Sequence, residues 1–220
     1  MDKNTRSMSR SNKKSETYTF NIQDFIIADS WNYQRAGNSF FDKDYIEIIE
    51  FFCFHSPCRQ GSYSPYSLED LGWKNQWHSI KFREHLKALA GFDNTNFIVT
   101  PNQYGFRDLW EKTEYPDDFT IVRSPFAFLA AAGENNDFMD LLHRIRNGFA
   151  HGRYNVIRDH GEYFIYFEDV KSSNGCTYVL ARICLTKTIL NEWRLFLTMR
   201  SPDIKEFGSI IVSNKELLLV

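Results

Sequence analysis

The chain has 220 residues, of which 43% are apolar and 16% aromatic, and its formal net charge is −2. This length is enough for one domain with a substantial hydrophobic core, and the balanced charge argues against a generally basic nucleic-acid-binding protein. No apolar run approaches the about 20 residues of a membrane span, and the first residues lack the apolar centre of a secretory signal, so we expect a cytoplasmic protein. Four cysteines in a chain of this length do not indicate a disulfide framework, and we expect reduced thiols.

The two ends of the chain differ in composition from its middle. Residues 1–15 are polar and rich in Ser and Lys, which predicts a disordered basic arm, and we expect a solvated tail rather than a nucleic-acid-binding one. A single domain is expected over residues 16–200. The tail over residues 201–220 ends in an apolar run, which is typical of either a docked strand or a surface that binds a partner.

The first periodic segments are short. Residues 18–27 mix alternating and consecutive apolar side chains, so a short strand and the start of a helix are both compatible with them. Residues 42–52 carry a helical stripe of apolar side chains behind Asp42, which is a plausible N-cap. We therefore predict the first helix over residues 42–52.

Three potential metal ligands follow closely, Cys53, His55 and Cys58. A closed structural zinc site needs four ligands, usually in paired clusters, and no second cysteine pair with such spacing follows. We favour free thiols over a metal site, and we expect neither a metal nor another cofactor.

Loops and helices are expected to alternate through the middle of the chain. Residues 60–73 are rich in Gly, Ser and Pro, which predicts a loop, and residues 77–90 predict a helix. Residues 92–118 show no clear period and are expected to be irregular. A capping serine and a first-turn proline then predict a further helix over residues 124–133, with the sequence FAFLAAA at its centre.

Residues 137–152, DFMDLLHRIRNGFAHG, predict an amphipathic helix with a polar cluster that the helix itself does not require. Apolar side chains recur at steps of three and four residues, so one face belongs in a core. The other face carries His143, Arg146, Asn147 and His151 within about two helical turns. Asn147 and His151 are neighbours one turn apart on this face.

Glycine and turn residues mark the element boundaries in the segment after this helix. Gly152 favours the left-handed cap that often ends a helix. Residues 162–170 and 176–185 predict the two strands of a β-hairpin, joined by KSSNG with its Asn-Gly turn signal. A last helix is expected behind Thr186 or Thr188.

The sequence RNGFAH, from Arg146 to His151, resembles the R-x4-H signature of the HEPN superfamily, whose members include metal-independent ribonucleases of toxin and anti-phage systems. The Asn after the Arg, the amphipathic helix, and the hairpin and helix that follow it are similar to a plasmid-borne branch of that superfamily. The resemblance implies an α-rich α+β fold, a HEPN-like helical bundle with an appended antiparallel β-hairpin and a C-terminal helix. It also implies a homodimer in which the motif helices of two subunits meet, and a possible antitoxin or other regulatory protein.

The residues of the motif suit RNA cleavage without a metal. RNA carries its own nucleophile, the 2′-OH beside the scissile phosphate. Histidine exchanges protons near neutral pH, and arginine binds phosphate oxygens through a planar fork. We therefore predict a composite site at the homodimer interface, with His151 as acid and base, Arg146 as phosphate clamp and Asn147 as an orienting residue. The expected products are a 2′,3′-cyclic phosphate and a 5′-hydroxyl.

A basic strip surrounds the motif. Between residues 143 and 158 the sequence contains four arginines and no acidic residue, although the whole chain is slightly acidic. A local strip of this kind can bind phosphate where the whole molecule would not. We therefore assign RNA binding to His143, Arg144, Arg153 and Tyr154.

Two features of the motif leave other interpretations open. HEPN toxins silenced by nucleotidyltransferase antitoxins often carry a Tyr two residues after the His, whereas here that position is Arg153 and the Tyr is Tyr154, so regulation by adenylylation is in doubt. Gly148 lies inside the helix and indicates a close contact, either with a second subunit or within the chain. The alternative function is a catalytically silent RNA- or nucleotide-binding or dimerisation module, and the third is a purely structural helical module.

Overall fold

A five-stranded mixed sheet forms the centre of the protein in the computed structural model, which describes residues 43–56, 80–101, 105–131, 137–173 and 176–198. The strands lie in the order β1-β2-β5-β4-β3; β1 and β2 run parallel, and every other neighbouring pair is antiparallel. The strands are β1 (Phe97–Thr100), β2 (Phe126–Ala130), β3 (Tyr154–Asp159), β4 (Glu162–Ser173) and β5 (Cys176–Thr186).

Helices cover both faces of this sheet. Four of them pack on one face and α3 packs on the other, together with a short 3-10 turn. None of the helices in the described part of the chain is both long enough and apolar enough to cross a lipid bilayer. The helices are α1 (Lys43–Glu50), which continues into a π-helical turn (Phe51–His55), α2 (Ile80–Ala90), α3 (Gly105–Lys112), α4 (Asp137–Ala150) and α5 (Lys187–Thr198).

Two hydrophobic layers result from the alternation of side chains along the strands. In β2, Ala127 and Leu129 join the layer beneath the four helices, whereas Phe126 and Phe128 join the layer beneath α3. The second layer is rich in aromatic side chains around Trp110 of α3, whose ring centroid lies 5.8 Å from that of Phe128. The sheet is therefore buried on both faces at its centre.

The expected helical bundle with an appended hairpin is wrong, because the sheet is the core and the hairpin is two of its central strands. The helix predicted over residues 124–133 is also wrong, since residues 126–130 form β2. All five residues of β2 are buried, so this strand lacks the polar alternation by which a half-exposed strand is recognised. Residues 92–118, expected to be irregular, contain β1 and α3.

Several predicted elements are confirmed. The motif helix is α4, the two hairpin strands are β4 and β5, and the last helix is α5. Thr186 rather than Thr188 caps that helix, because the N–H of Ile189 donates to Thr186 Oγ1 at 3.1 Å. The described residues do not include the arm over residues 1–15, the segments 18–27 and 60–73, the Asn-Gly turn, or the tail over residues 201–220.

Strand β3 is an edge strand of the sheet, and the sequence analysis did not predict it. The N–H of Glu168 on β4 donates to the carbonyl of Arg153 at 3.2 Å. Because partners alternate along an antiparallel ladder, the N–H of Val156 then points away from β4. The Asn155 side chain accepts a hydrogen bond from this N–H at 2.8 Å. One outward donor of the edge strand is thus satisfied within the strand itself.

Gly148 makes its close contact within the chain. A Cβ atom built at this position would lie 2.6 Å from Cδ1 of Phe167, whose side chain is fully buried in β4. The glycine therefore allows α4 to approach the sheet closely enough for the Phe167 ring to lie against the helix backbone. An intrachain contact accounts for Gly148 without a second subunit.

Gly148→Ala is expected to lower the free energy of unfolding by up to about 2 kcal/mol, because overpacking against Phe167 costs about 1–3 kcal/mol and alanine regains only about 1 kcal/mol in a helix. Urea denaturation followed by circular dichroism would measure the change. The double variant Gly148→Ala, Phe167→Leu should lose less than the sum of the two single variants, since the smaller side chain makes room for the new methyl group. A more stable Gly148→Ala protein would contradict the contact.

Candidate functional site

Helix α4 carries the motif on the side that is not fully buried against the sheet. Its apolar side chains, among them Leu141 and Ile145, are buried as predicted. Arg146 and Asn147 remain half-buried, and His151 is exposed in the turn that follows the helix. The N–H of His151 still donates to the carbonyl of Asn147 at 2.9 Å, so His151 continues the helical turn that starts at Asn147.

Gly152 ends this helix as the sequence predicted. Its φ of 65° lies in the left-handed region, which glycine adopts without steric cost. Two hydrogen bonds close the end, from Gly152 N–H to Phe149 O at 3.2 Å and from Arg153 N–H to Gly148 O at 2.8 Å. This cap fixes the backbone next to His151 and turns the chain into β3.

Asp169 of β4 connects the polar residues of α4. Its Oδ2 accepts hydrogen bonds from Arg144 Nη1 at 2.6 Å and from Asn147 Nδ2 at 3.2 Å. Asn147 Oδ1 in turn accepts from Arg146 Nη1 at 3.1 Å. The Asn147 amide therefore has its donor against a carboxylate and its acceptor against a guanidinium. The opposite orientation would leave both contacts repulsive.

Arg144, predicted to bind RNA, belongs to the interior instead. It is only 5% exposed, and besides its ion pair with Asp169 it donates from Nη2 to the carbonyl of Ala130 at 2.8 Å. Two elements of the sheet, β2 and β4, thus hold this guanidinium. In this conformation Arg144 lies in the interior in contact with Asp169, and it is not on a surface that RNA could reach.

Arg153 is also occupied by a partner from β4. Its Nη2 lies 2.8 Å from Glu168 Oε1, and the other carboxylate oxygen accepts from Arg182 Nε of β5 at 3.1 Å. Burial raises the pKa of the Glu168 carboxyl and lowers the pKa of the Arg182 guanidinium, against the mutual attraction of the pair. Arg182 also lies over the Trp110 ring at 4.6 Å, which places it among the aromatic side chains beneath α3.

His143 and Tyr154 are less accessible than the sequence analysis assumed. His143 is only 8% exposed. The Tyr154 ring packs 5.2 Å from that of Phe149, and its side chain is close enough to Tyr45 of α1 to affect the Tyr45 hydroxyl. Burial, and then the nearness of Tyr154, raise the pKa of Tyr45. Tyr154 thus joins an aromatic cluster that connects β3, α4 and α1.

Cys53 and Cys184 are free thiols. Cys184 is buried in β5, and burial raises the pKa of its thiol to about 12. The pKa of Cys53 is also raised, because the effect of burial is larger than the opposing effect of the positive charge on Arg146. The residues with described positions contain no group of three or more His, Cys, Asp or Glu side chains suited to a metal ion. Cys58 lies outside them, so the zinc hypothesis for Cys53, His55 and Cys58 is not tested.

Sequence reasoning missed two buried carboxylates: Asp169, which holds Asn147, and Glu168, which pairs with Arg153 on the other face of the sheet. The strip from residue 143 to residue 158 contains no acid, but Glu168 and Asp169 reach it from β4. A signal was present in the sequence, because two adjacent acids follow the apolar run YFIYF of a predicted strand. Buried carboxylates need cationic or hydrogen-bonding partners, and the nearby arginines were the available ones.

Comparisons of the chain with protein-family models, with curated proteins and with solved structures found no match. The resemblance to the HEPN superfamily therefore stays a prediction that rests on the motif residues.

Arg144→Ala is expected to lower the free energy of unfolding by about 3–5 kcal/mol, because it leaves Asp169 buried without its cation. Arg107→Ala serves as a matched control, since Arg107 pairs with Glu111 on the outside of α3 and such surface pairs contribute about 0–1 kcal/mol. Urea denaturation would compare the two variants. Equal losses would contradict the buried role of Arg144.

Proposed function

We propose that this protein is a metal-independent endoribonuclease of a toxin or anti-phage defence system. The proposed catalytic group consists of Arg146, Asn147 and His151. The RNA 2′-oxygen attacks the adjacent phosphorus, the bond from phosphorus to the 5′-oxygen breaks, and the products carry a 2′,3′-cyclic phosphate and a 5′-hydroxyl. The resemblance of the motif to R-x4-H ribonucleases suggests this chemistry, and the described contacts support it.

The observation that carries the proposal is the hydrogen bond from Arg146 Nη1 to an Asn147 amide whose orientation is itself fixed by Asp169. A preorganised cation stabilises the charge of a phosphorane without having to reorganise during the reaction. Arg146 is half-buried and His151 is exposed, so an incoming phosphodiester can approach from the solvent side.

Each step of the reaction needs a proton transfer. The attacking 2′-OH must lose its proton, and the leaving 5′-oxygen must gain one. One chain offers one motif histidine, His151, so a single copy lacks separate groups for these two roles. A homodimer with two motif helices side by side would supply His151 from each subunit, one as base and the other as acid. Gly148 does not argue for this pairing, since Phe167 accounts for it.

We expect purified wild-type protein to cleave RNA in the presence of EDTA, and His151→Ala and Arg146→Ala to reduce the rate at least about 100-fold. The readout is the cleavage rate of total RNA and of a labelled oligonucleotide, with product ends identified by mass spectrometry. Induced expression of the wild type should also arrest growth.

Two variants control for non-specific loss of charge or of a histidine. Arg107→Ala removes an arginine on the opposite face of the sheet, and His160→Asn replaces an exposed histidine whose φ of 47° asparagine tolerates. Both should cleave at the wild-type rate. An inactive wild type that still binds RNA would favour the catalytically silent module, and the absence of both activities would favour a structural role.

Dimer dependence gives a separate expectation. The cleavage rate per chain should fall when dilution dissociates the subunits, because a monomer lacks the second His151. An excess of the His151→Ala protein should likewise inhibit the wild type by forming mixed dimers. Analytical ultracentrifugation over the same concentrations would give the dissociation constant. A rate per chain that is constant through the monomer range would show that one subunit is sufficient.

A further inference from the structure

We infer that Asp169 is a positioning residue of the proposed nuclease site: its carboxylate orients Asn147, and Asn147 orients Arg146. This inference rests on the proposed function for its catalytic consequence. Its structural part concerns an amide orientation that can be measured whether or not the protein cleaves RNA.

The carboxylate of Asp169 is held firmly enough to act as a reference point. Its Oδ2 receives Arg144 Nη1 at 2.6 Å, and the same guanidinium is tied to the carbonyl of Ala130 on β2. Asp169 is itself only 5% exposed, and it lies beside the irregularity between residues 169 and 170 in the pairing of β4 with β5. The position of the carboxylate is therefore set by β4 and by the Arg144 guanidinium, which is itself anchored to β2.

This fixed carboxylate selects one orientation of the Asn147 side chain. The amide nitrogen donates to Asp169 Oδ2 at 3.2 Å, which leaves the amide oxygen to accept from Arg146 Nη1 at 3.1 Å. If the amide rotated by half a turn, its oxygen would meet the carboxylate and its nitrogen would meet the guanidinium. The hydrogen bond from Arg146 Nη1 to Asn147 Oδ1 restricts the position of the guanidinium relative to the amide.

Glu168 provides a matched comparison in the neighbouring position. Like Asp169 it is a buried carboxylate on β4 with arginine partners, here Arg182 and Arg153. Its side chain points to the opposite face of the sheet, toward the layer beneath α3. Replacing Glu168 by Gln therefore removes a comparable buried charge while leaving the contacts of Asp169, Asn147 and Arg146 in place.

The experiment compares Asp169→Asn with Glu168→Gln in two measurements. The first is the side-chain amide resonance of Asn147 in a ¹H–¹⁵N spectrum, assigned with an Asn147→Ser variant. The second is the kcat and KM for a labelled RNA oligonucleotide. We expect Asp169→Asn to shift the Asn147 resonance and to lower kcat by about 10–100-fold with a smaller change in KM, as supporting hydrogen bonds of a functional group typically do. Glu168→Gln should do neither.

Other results would overturn the inference. Equal effects of the two variants on the Asn147 resonance and on kcat would show that Asp169 stabilises the fold but does not orient Asn147. If Asp169→Asn does not fold, Asp169→Glu keeps the charge opposite Arg144 but displaces the carboxylate, and an unchanged kcat in that variant would equally reject positioning. If the wild type does not cleave RNA, the proposed function fails, and the resonance alone decides whether Asp169 orients Asn147.

Discussion

The pairing of two neighbouring carboxylates in the interior is the constraint on which the rest of this structure depends. Glu168 and Asp169 are adjacent on β4, so their side chains leave the strand on opposite faces of the sheet. Burying a carboxylate without a cation lowers the stability of the fold, so each of the two carboxylates forms an ion pair with arginine. Arg144 comes from α4, whereas Arg182 and Arg153 come from β5 and from the segment between α4 and β3. These ion pairs connect α4, β4 and β5 at one point.

This pairing changes the electrostatic character of the motif region. The sequence suggested a continuous basic strip, but two of its four arginines are neutralised by acids from β4. Arg144 and Arg153 are therefore committed to ion pairs with β4. Asp169 has two effects. It neutralises the charge of Arg144, and it holds the Asn147 amide in one orientation. For the proposed ribonuclease, this arrangement favours contact with a single phosphate.

The sequence could predict two kinds of element: helices with a solvent-facing side, and strands joined by a recognisable turn. Helix α4 and helix α5 have a buried and a less buried face, so their apolar residues recur with a helical period. The hairpin of β4 and β5 was found from its two strand-like runs and its turn signal. Strand β2 was mistaken for a helix because it is buried on both faces and contains alanine beside phenylalanine. Without β1 and β2 the chain looked like a bundle with a hairpin attached.

The candidate site was predictable in its residues but not in its contacts. The spacing of Arg146, Asn147 and His151 follows from the helix alone, and the helix is present. The partners are long-range, since Arg144 and Asp169 are 25 positions apart and meet only because α4 packs across β4. Which cations remain at the surface and which enter the core is decided by that packing. Local sequence patterns contain no information about it, although the two acids within a predicted buried strand indicated that partners were required.

The Asn155 side chain has a consequence for how copies of this protein can associate. An uncovered outer strand is normally a template on which another chain can add a strand, and this is a common route to insoluble assemblies. Here the N–H of Val156 is already bonded to Asn155 Oδ1, so a strand added along β3 would have to break this bond before forming its own. Growth of the sheet by addition at β3 is thereby disfavoured.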